Sequence, residues 1–296
     1  MERPDKLKTI QHMLVYLSSI RKTGFIYLEI TMASSNSGET MFHNLEQLAD
    51  NPYPGRGIIQ GLNNAANLGI QVYWLTGRSE SSRARVLVNE VDPTSQQRSQ
   101  LLRTAPFNLP EGTDTSLIIY NAMRSFGDRH VVSNGDQTDT VIEYLKDGEV
   151  FDVALSTRDY EPDAPNFTPR ISGVIDFSSD LKSGNPESWL SVISKSRTSN
   201  LATRELYSYD LDPKTAGIGK GVHTYTGDGT PLPSFRGNPL DLPLGETIEE
   251  IAKTYWSALN PDNRVALAVK SIDIKTGKED YTIINAHEDT EPKLAT

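Results

Sequence analysis

The feature that most constrains the fold is a series of short apolar runs that recurs from Gly55 to near the C-terminus. Each run is rich in β-branched and aromatic residues and is bounded by Gly, Asn, Asp or Pro, as strands commonly are. The first two runs are separated by LNNAANLG, a loop suited to an antiparallel hairpin that brings Arg56 and Arg78 to one edge. The expected strands are GRGIIQG, IQVYWLTGR, SLIIYNAM, HVVSNG, RISGVIDF, SWLSVIS, RVALAVKSIDI and EDYTII.

Helical signals interrupt these strands at three places. Thr140 and Glu143 have the spacing of a capping box, with Gly148 as the stop, and FDVALSTR follows as a second short helix. Thr247 and Glu250 repeat that spacing ahead of a third helix. Strands with helices grouped between them predict an α+β sandwich of sheets with helices packed outside. The third helix has one apolar face, formed by Ile248, Ile251, Ala252, Tyr255 and Leu259.

Composition excludes several classes of function. The 296 residues include no cysteine, which rules out disulfides, a cysteine nucleophile and thiolate metal ligands. The five histidines show no metal-ligand spacing, so we expect no metal and no other cofactor. A net charge of −10 disfavours general binding to nucleic acid or to an anionic membrane. No apolar window is long enough for a membrane helix.

The N-terminal segment differs from the rest of the chain. Residues 1–31 contain a short apolar stretch, but no small-residue cleavage site follows it. Met32 then opens a polar run that is typical of a protein start. We therefore predict that residues 1–31 are an extension outside the core and that residues 32–296 form a single domain.

Three blocks of sequence, in order, resemble one known family. They are NPYPGRGIIQG with VYWLTGRSESSRARV, then IIYNAMR with VVSNGDQTDT, then DYEPDAPNFTPRISG. HTYTGDGTPLPSF and NPDNRVALAVKSID extend the similarity, which runs from residue 51 to residue 285. These blocks resemble the archaeal-type IMP cyclohydrolases, where IMP is inosine monophosphate.

The resemblance implies a cytoplasmic, homo-oligomeric enzyme of purine biosynthesis. It also implies a four-layer αββα sandwich like that of the N-terminal-nucleophile hydrolases, but without the N-terminal nucleophile. Those hydrolases use an exposed first Thr, Ser or Cys whose own amine serves as base. Here Arg56 lies where the first strand begins, and NPYPGR offers no such residue beside it.

The reaction implied by the resemblance closes 5-formamidoimidazole-4-carboxamide ribotide to IMP with loss of water. The enzyme would be a hydrolase that acts on a cyclic amidine C–N bond, and its substrate a small purine nucleotide. The attacking carboxamide nitrogen is tethered to the formyl carbon, so proximity supplies much of the rate and neither covalent catalysis nor a metal is required. The protein must hold a phosphorylated ribotide, stabilise a transient oxyanion and move protons.

The matching motifs assign these tasks to particular residues. Tyr120 and Glu161 are predicted to move protons, and Arg56 either orients Glu161 or polarises the formyl oxygen. Arginine pairs with phosphate oxygens through two donors at once, so four arginines are candidates for phosphate binding. These are Arg78, Arg83, Arg85 and Arg124. Polar residues near the ends of the central strands complete the predicted substrate site: Asn121, Asn134, Asp136 and Asp139.

Other interpretations of the same residues stay open. Taken alone, Tyr120 is more often a core tyrosine, Glu161 a solvated loop carboxylate, and the arginines surface ion pairs. The same fold also suits an amide hydrolase acting on a nucleotide-like amide. A third alternative is a non-catalytic protein that binds nucleotide phosphate. Having both Tyr120 and Glu161 within intact motifs favours an enzyme over that third alternative.

Overall fold

The structure is a computed structural model that describes residues 36–94, 99–109, 111–178 and 185–287. The predicted extension, residues 1–31, lies outside the described residues, so the division at residue 32 stays a prediction. In the described ranges the strands form two antiparallel sheets, which confirms the predicted α+β class. No helix in these ranges is long and apolar enough to cross a membrane.

The strands and helices have the following bounds. The strands are β1 (Arg56–Leu62), β2 (Leu68–Thr76), β3 (Arg85–Val91), β4 (Gln100–Pro106), β5 (Asn121–Phe126), β6 (Arg129–Ser133), β7 (Arg170–Asp176), β8 (Glu187–Lys195), β9 (Ala202–Asp210), β10 (Ile218–His223), β11 (Leu240–Pro243), β12 (Arg264–Asp273) and β13 (Glu279–Asn285). The helices are α1 (Asn36–Asp50), α2 (Glu80–Arg83), α3 (Gln137–Lys146), α4 (Phe151–Ser156) and α5 (Ile248–Ala258).

The two sheets differ in how they are connected. Among the described strands, sheet A has the order β11–β10–β1–β2–β12–β13, whereas sheet B runs in sequence from β3 to β9. In the β1–β2 hairpin Arg56 pairs with Leu75 and Leu62 with Gly69, which confirms the predicted hairpin. Its register places Arg56 at the end of sheet A from which the chain continues to Arg78.

Three apolar clusters show how the layers are stacked. The largest lies between the sheets and includes Ile58 of β1 and Leu190 of β8. A second packs Trp74 of β2 against the helices α1 and α5, and a third packs Val131 of β6 against α3 and α4. Because side chains alternate along a strand, each sheet can be apolar on both faces. The helices therefore cover the outer faces of two sheets that pack against each other.

Two local predictions are wrong. SLIIYNAM does not begin as a strand, because Asp114 accepts a hydrogen bond from the Ser116 amide and starts a turn, so that β5 begins only at Asn121. The capping box predicted at Thr140 is also absent, since α3 begins three residues earlier, at Gln137. The short helix α4 and the capping box of α5, formed by Thr247 and Glu250, are both confirmed.

Candidate active site

Polar side chains gather at one end of the space between the sheets, where β1 begins. Alternation along β1 turns Arg56, Ile58 and Gln60 to the same face of sheet A. That face is the inner one, because Ile58 belongs to the cluster between the sheets and Gln60 donates to the Val174 carbonyl of sheet B. Arg56 is therefore directed between the sheets at their end.

Arg56 meets Glu161 there, although 105 residues separate the two along the chain. Arg56 Nη2 lies 2.5 Å from Glu161 Oε1, and the glutamate side chain is only 3% exposed. Burial raises the pKa of Glu161 above its ordinary value, while the neighbouring Arg56 opposes that rise. A raised pKa makes a carboxylate a better proton acceptor, which suits a group that takes up and returns a proton. Glu161 is thus not the solvated loop carboxylate that its sequence position permits.

One donor of Arg56 is left unused by this ion pair. Its Nη2 binds Glu161, but its Nε is buried and has no hydrogen-bond partner in the described part of the chain. Burial disfavours the cation, yet the charge of Glu161 and that of nearby tyrosines raise the pKa of Arg56, so it stays protonated. An unsatisfied buried donor costs about 1–3 kcal/mol. An oxygen atom placed against this Nε would remove that cost.

Tyr120 lies beside this pair and is held at both ends. Its backbone amide donates to Thr104 Oγ1 over 2.8 Å, and its hydroxyl lies 2.6 Å from the hydroxyl of Tyr73. Both tyrosines are buried, and both are close enough to Arg56 for their charges to affect its pKa. Tyr73 was missed by the motif analysis. The predicted hairpin could have indicated it, because the register pairs Tyr73 with Ile58.

Asn134 supports Glu161 from the adjoining turn. Its Nδ2 donates to the Pro169 carbonyl over 2.9 Å and lies 3.5 Å from Glu161 Oε1. Its Oδ1 accepts from Gln137 Nε2 and from the Ile171 amide. The side chain therefore fixes the start of β7 and brings its amide nitrogen close to the Glu161 carboxylate.

Asp136 is engaged elsewhere. Its carboxylate pairs with Arg170, at 2.8 Å, and with Arg158. Although partial burial disfavours the ionised form, these two arginines lower the pKa of Asp136. The structure places Asp136 near the start of α3, with its charge already compensated by two cations.

Arg124, Asn121 and Asp139 form a separate cluster between β5 and α3. Arg124 Nη1 lies 2.7 Å from Asp139 and its Nη2 lies 2.8 Å from Asp92. Asn121 Nδ2 donates to Asp139 over 2.9 Å. Residues three apart on a regular strand face opposite sides, but the register of β4 and β5 shifts beside Asn121. That irregularity turns both side chains toward α3 and away from Tyr120.

The three remaining arginines lie on the segment after β2 and have different partners. Arg78 is paired with the exposed Asp228 and lies over the ring of Tyr53, 4.9 Å from its centroid. Arg83 donates to the Gly77 carbonyl over 3.0 Å and to Asn263 over 3.2 Å. Neither of these contacts neutralises the charge of Arg83.

Arg85 is unusual because it is only 1% exposed. Its guanidinium donates to the carbonyl oxygens of Ser82 and Ile118, at 3.0 and 3.3 Å, and meets no carboxylate among the described residues. Burial raises the pKa of the nearby Tyr73, and the charge of Arg85 partly opposes that rise. A buried cation without a counter-charge is costly, so Arg85 is suited to receive an anion.

The described residues hold no group of three or more His, Asp or Glu side chains placed to bind a metal ion. A cavity of about 220 Å³ lies at the other end of the sandwich, lined by His130, Phe177 and the turn from Asp273 to Gly277. It is distant from Arg56 because Asp273 and Arg56 lie at opposite ends of β2, beside Leu68 and Leu75.

Comparison with known proteins gives one family. A family model described as IMP cyclohydrolase-like protein matches residues 53–278. A curated protein named IMP cyclohydrolase from Haloquadratum walsbyi is 31% identical over 131 residues, which cover 43% of this chain and 58% of that protein. Another of that name from Methanococcus maripaludis is 30% identical over 127 residues, covering 42% and 58% respectively. The match thus spans less than two thirds of these relatives.

Proposed function

This chain belongs to the family of IMP cyclohydrolase-like proteins, and from that premise we propose that it closes 5-formamidoimidazole-4-carboxamide ribotide to IMP with loss of water. The observation that carries the proposal is the buried contact of Arg56 with Glu161 beside the hydroxyl of Tyr120. Those three residues are the ones that the motifs assign to proton movement and polarisation. The names of the two relatives support the same reaction.

We further propose that the fold is that of the N-terminal-nucleophile hydrolases, without their nucleophile. In support, two antiparallel sheets pack face to face, helices cover their outer faces, and the polar cluster lies where β1 begins. Arg56 occupies the first position of that strand, where such a hydrolase carries its nucleophile. We also propose the cytoplasmic location and the homo-oligomeric state that the resemblance implies.

In the first half of the proposed reaction, the carboxamide nitrogen bonds to the formyl carbon. Glu161 takes a proton from that nitrogen, and Arg56 Nε–H donates to the formyl oxygen as negative charge develops on it. Tyr120 then gives its proton to this oxygen, which leaves a hydroxyl group on the new ring carbon. The unused Nε of Arg56 lets one residue both orient Glu161 and polarise the formyl oxygen.

In the second half, water departs. Glu161 returns its proton to the leaving hydroxyl group, the C–O bond breaks, and the former formamide nitrogen forms a double bond to carbon. That nitrogen loses its proton to the phenolate of Tyr120, so both residues are restored. No group outside the substrate and these side chains is needed to balance the protons.

Among the arginines, Arg85 and Arg83 are proposed to bind the substrate phosphate. Neither has a carboxylate partner in the described residues. Arg124 is held by two carboxylates and Arg78 by one, so an incoming phosphate would have to compete with those ion pairs. Three further polar side chains are already bound to protein partners, so we propose that they shape the site and do not contact the ligand. They are Asn121, Asp136 and Asp139.

The decisive experiment mixes the protein with the formylated ribotide and follows IMP formation by ultraviolet absorbance. We expect turnover by the wild type, and Glu161→Gln and Tyr120→Phe should each lower kcat about a hundredfold or more with little change in product affinity. Glu149→Gln, at an exposed residue beyond α3, serves as the matched control. Because the two site residues work as a unit, the double variant should lose less than the product of the single losses.

Three outcomes would contradict the proposal. A wild type that forms no IMP but cleaves a nucleotide-like amide would support the amide hydrolase. Binding of the ribotide without turnover would support the binding protein. Independent effects of the two substitutions would exclude a shared proton path.

A further inference from the structure

Tyr73 lies in one of the matching blocks but has been assigned no role there or in the reaction steps above, yet its hydroxyl makes one of the shortest contacts of the site. The side chain is fully buried on the inner face of β2, and its hydroxyl lies 2.6 Å from that of Tyr120. This contact joins sheet A to the residue before β5 of sheet B. It fixes the hydroxyl end of Tyr120, while Thr104 fixes its backbone.

The direction of this hydrogen bond becomes fixed when Tyr120 reacts. Burial, and then the neighbouring Tyr120, raise the pKa of Tyr73 well above its ordinary value, so Tyr73 keeps its proton. Either phenol can donate while both are protonated, but once Tyr120 has given its proton to the substrate its oxygen can only accept, and Tyr73 is then the donor.

We infer that Tyr73 is a positioning residue, which donates a hydrogen bond to Tyr120 oxygen and stabilises the phenolate that Tyr120 forms when it protonates the substrate. The inference rests on the proposed function. The proton that moves is that of Tyr120, passing to the substrate oxygen, while the Tyr73 O–H bond stays intact throughout. Hydrogen bonds to an ionised acceptor are shorter and stronger than neutral ones, so the contact gains strength as the transition state is reached.

Two cations favour this arrangement. Arg56 interacts with the charges of both tyrosines, and Arg85 interacts with that of Tyr73. Negative charge on the tyrosine pair is therefore favoured by two buried guanidinium groups. With Tyr73 absent, Tyr120 would keep its position through Thr104 but would lose the donor that meets its oxygen.

The test compares Tyr73→Phe with Tyr255→Phe. Tyr255 is an equally buried tyrosine whose hydroxyl donates to the Pro243 carbonyl over 2.6 Å, in the layer between sheet A and α5. Each substitution removes one buried hydroxyl and its hydrogen bond, so the two should cost similar stability. Tyr73→Phe alone should lower kcat by about tenfold or more, change KM by less than about twofold, and move the alkaline limb of the kcat profile to higher pH.

A readout without substrate separates this inference from the proposed reaction. In NMR spectra of protein labelled at the tyrosine Cζ atoms, the Tyr120 resonance should move in Tyr73→Phe and stay in place in Tyr255→Phe. The inference is overturned if both variants have the same kcat and the same pH profile, or if Tyr73→Phe changes KM alone. A wild type that makes no IMP overturns the proposed function instead, and the same spectra then show whether the tyrosine pair exists.

Discussion

Mild acid should destabilise this protein through two buried histidines, His130 and His223. Burial lowers the pKa of both to about 4, and the ammonium of Lys270 adds to the effect at His130. In the unfolded chain a histidine takes up its proton near pH 6.5. Between these values the unfolded state binds more protons than the folded one, so the free energy of unfolding falls as the pH is lowered.

The size of the effect follows from those pKa values. From pH 7 to pH 5 each histidine should remove about 2 kcal/mol of the free energy of unfolding, and the pair about 4 kcal/mol. That loss is a large part of the 5–15 kcal/mol typical of a folded protein. In the unfolded chain carboxylates titrate at about pH 4, below this range. Glu161, whose pKa is raised, gives a trend of opposite sign because the folded state then holds the extra proton.

Urea unfolding at the two pH values measures the effect. His223→Asn keeps a donor for the Tyr225 carbonyl, which His223 Nδ1 contacts at 2.9 Å, and should lose about half of the pH dependence. His130→Asn should lose a similar share. His43→Gln, at an exposed residue of α1, should keep the wild-type dependence and serves as the control. Glu161 is present in all four proteins, so its contribution cancels when their pH dependences are compared. Equal pH dependence of the free energy of unfolding in all four would refute the reasoning.

Three further predictions concern the arginines. Arg56→Lys keeps a cation beside Glu161 but removes the Nε donor. Steady-state kinetics should therefore show kcat reduced about a hundredfold with KM nearly unchanged. An unchanged kcat would exclude the Nε from the mechanism. Arg85→Met should raise KM for the ribotide about ten- to a hundredfold and leave the weak binding of the dephosphorylated nucleoside as it was. Arg124→Met should instead lower the thermal midpoint, since it leaves the buried Asp92 without its cation. A raised KM in Arg124→Met, with a lowered thermal midpoint in Arg85→Met, would show that Arg124 binds the phosphate.

The strands that sequence predicts well are those buried on both faces. In β1 and β2 nearly every residue is buried, and the apolar run with its bounding turn residues is unambiguous. β9 was missed because it is an edge strand whose alternate residues are exposed, so its sequence is half polar. α1 was missed in a polar stretch, although Met41, Leu45 and Leu48 have helical spacing and two of them are fully buried.

The site shows a different limit. The hairpin register alone brings Arg56 to the end of the sheet, and the motifs mark Tyr120 and Glu161. No local pattern predicts that Tyr73 meets Tyr120, because that contact depends on how one sheet is seated on the other. The partners of Arg124 were equally hidden, since they depend on an irregular register between β4 and β5 that the strand period does not reveal.

The net charge of the chain therefore does not predict whether this site binds a phosphate. The partners of the individual arginines predict it better. The chain carries 39 acidic and 29 basic side chains, which alone would repel a phosphorylated ligand. Arg124 and Arg78 each have acidic partners, and Arg170 is paired with Asp136 although its charge still lowers the pKa of Glu161. Arg85 is buried and has no acidic partner among the described residues, so folding has already removed water from its guanidinium. A phosphate that reaches it gains a strong charge-assisted contact in a low-dielectric surrounding, so one uncompensated guanidinium can outweigh a distant, screened acidic surface.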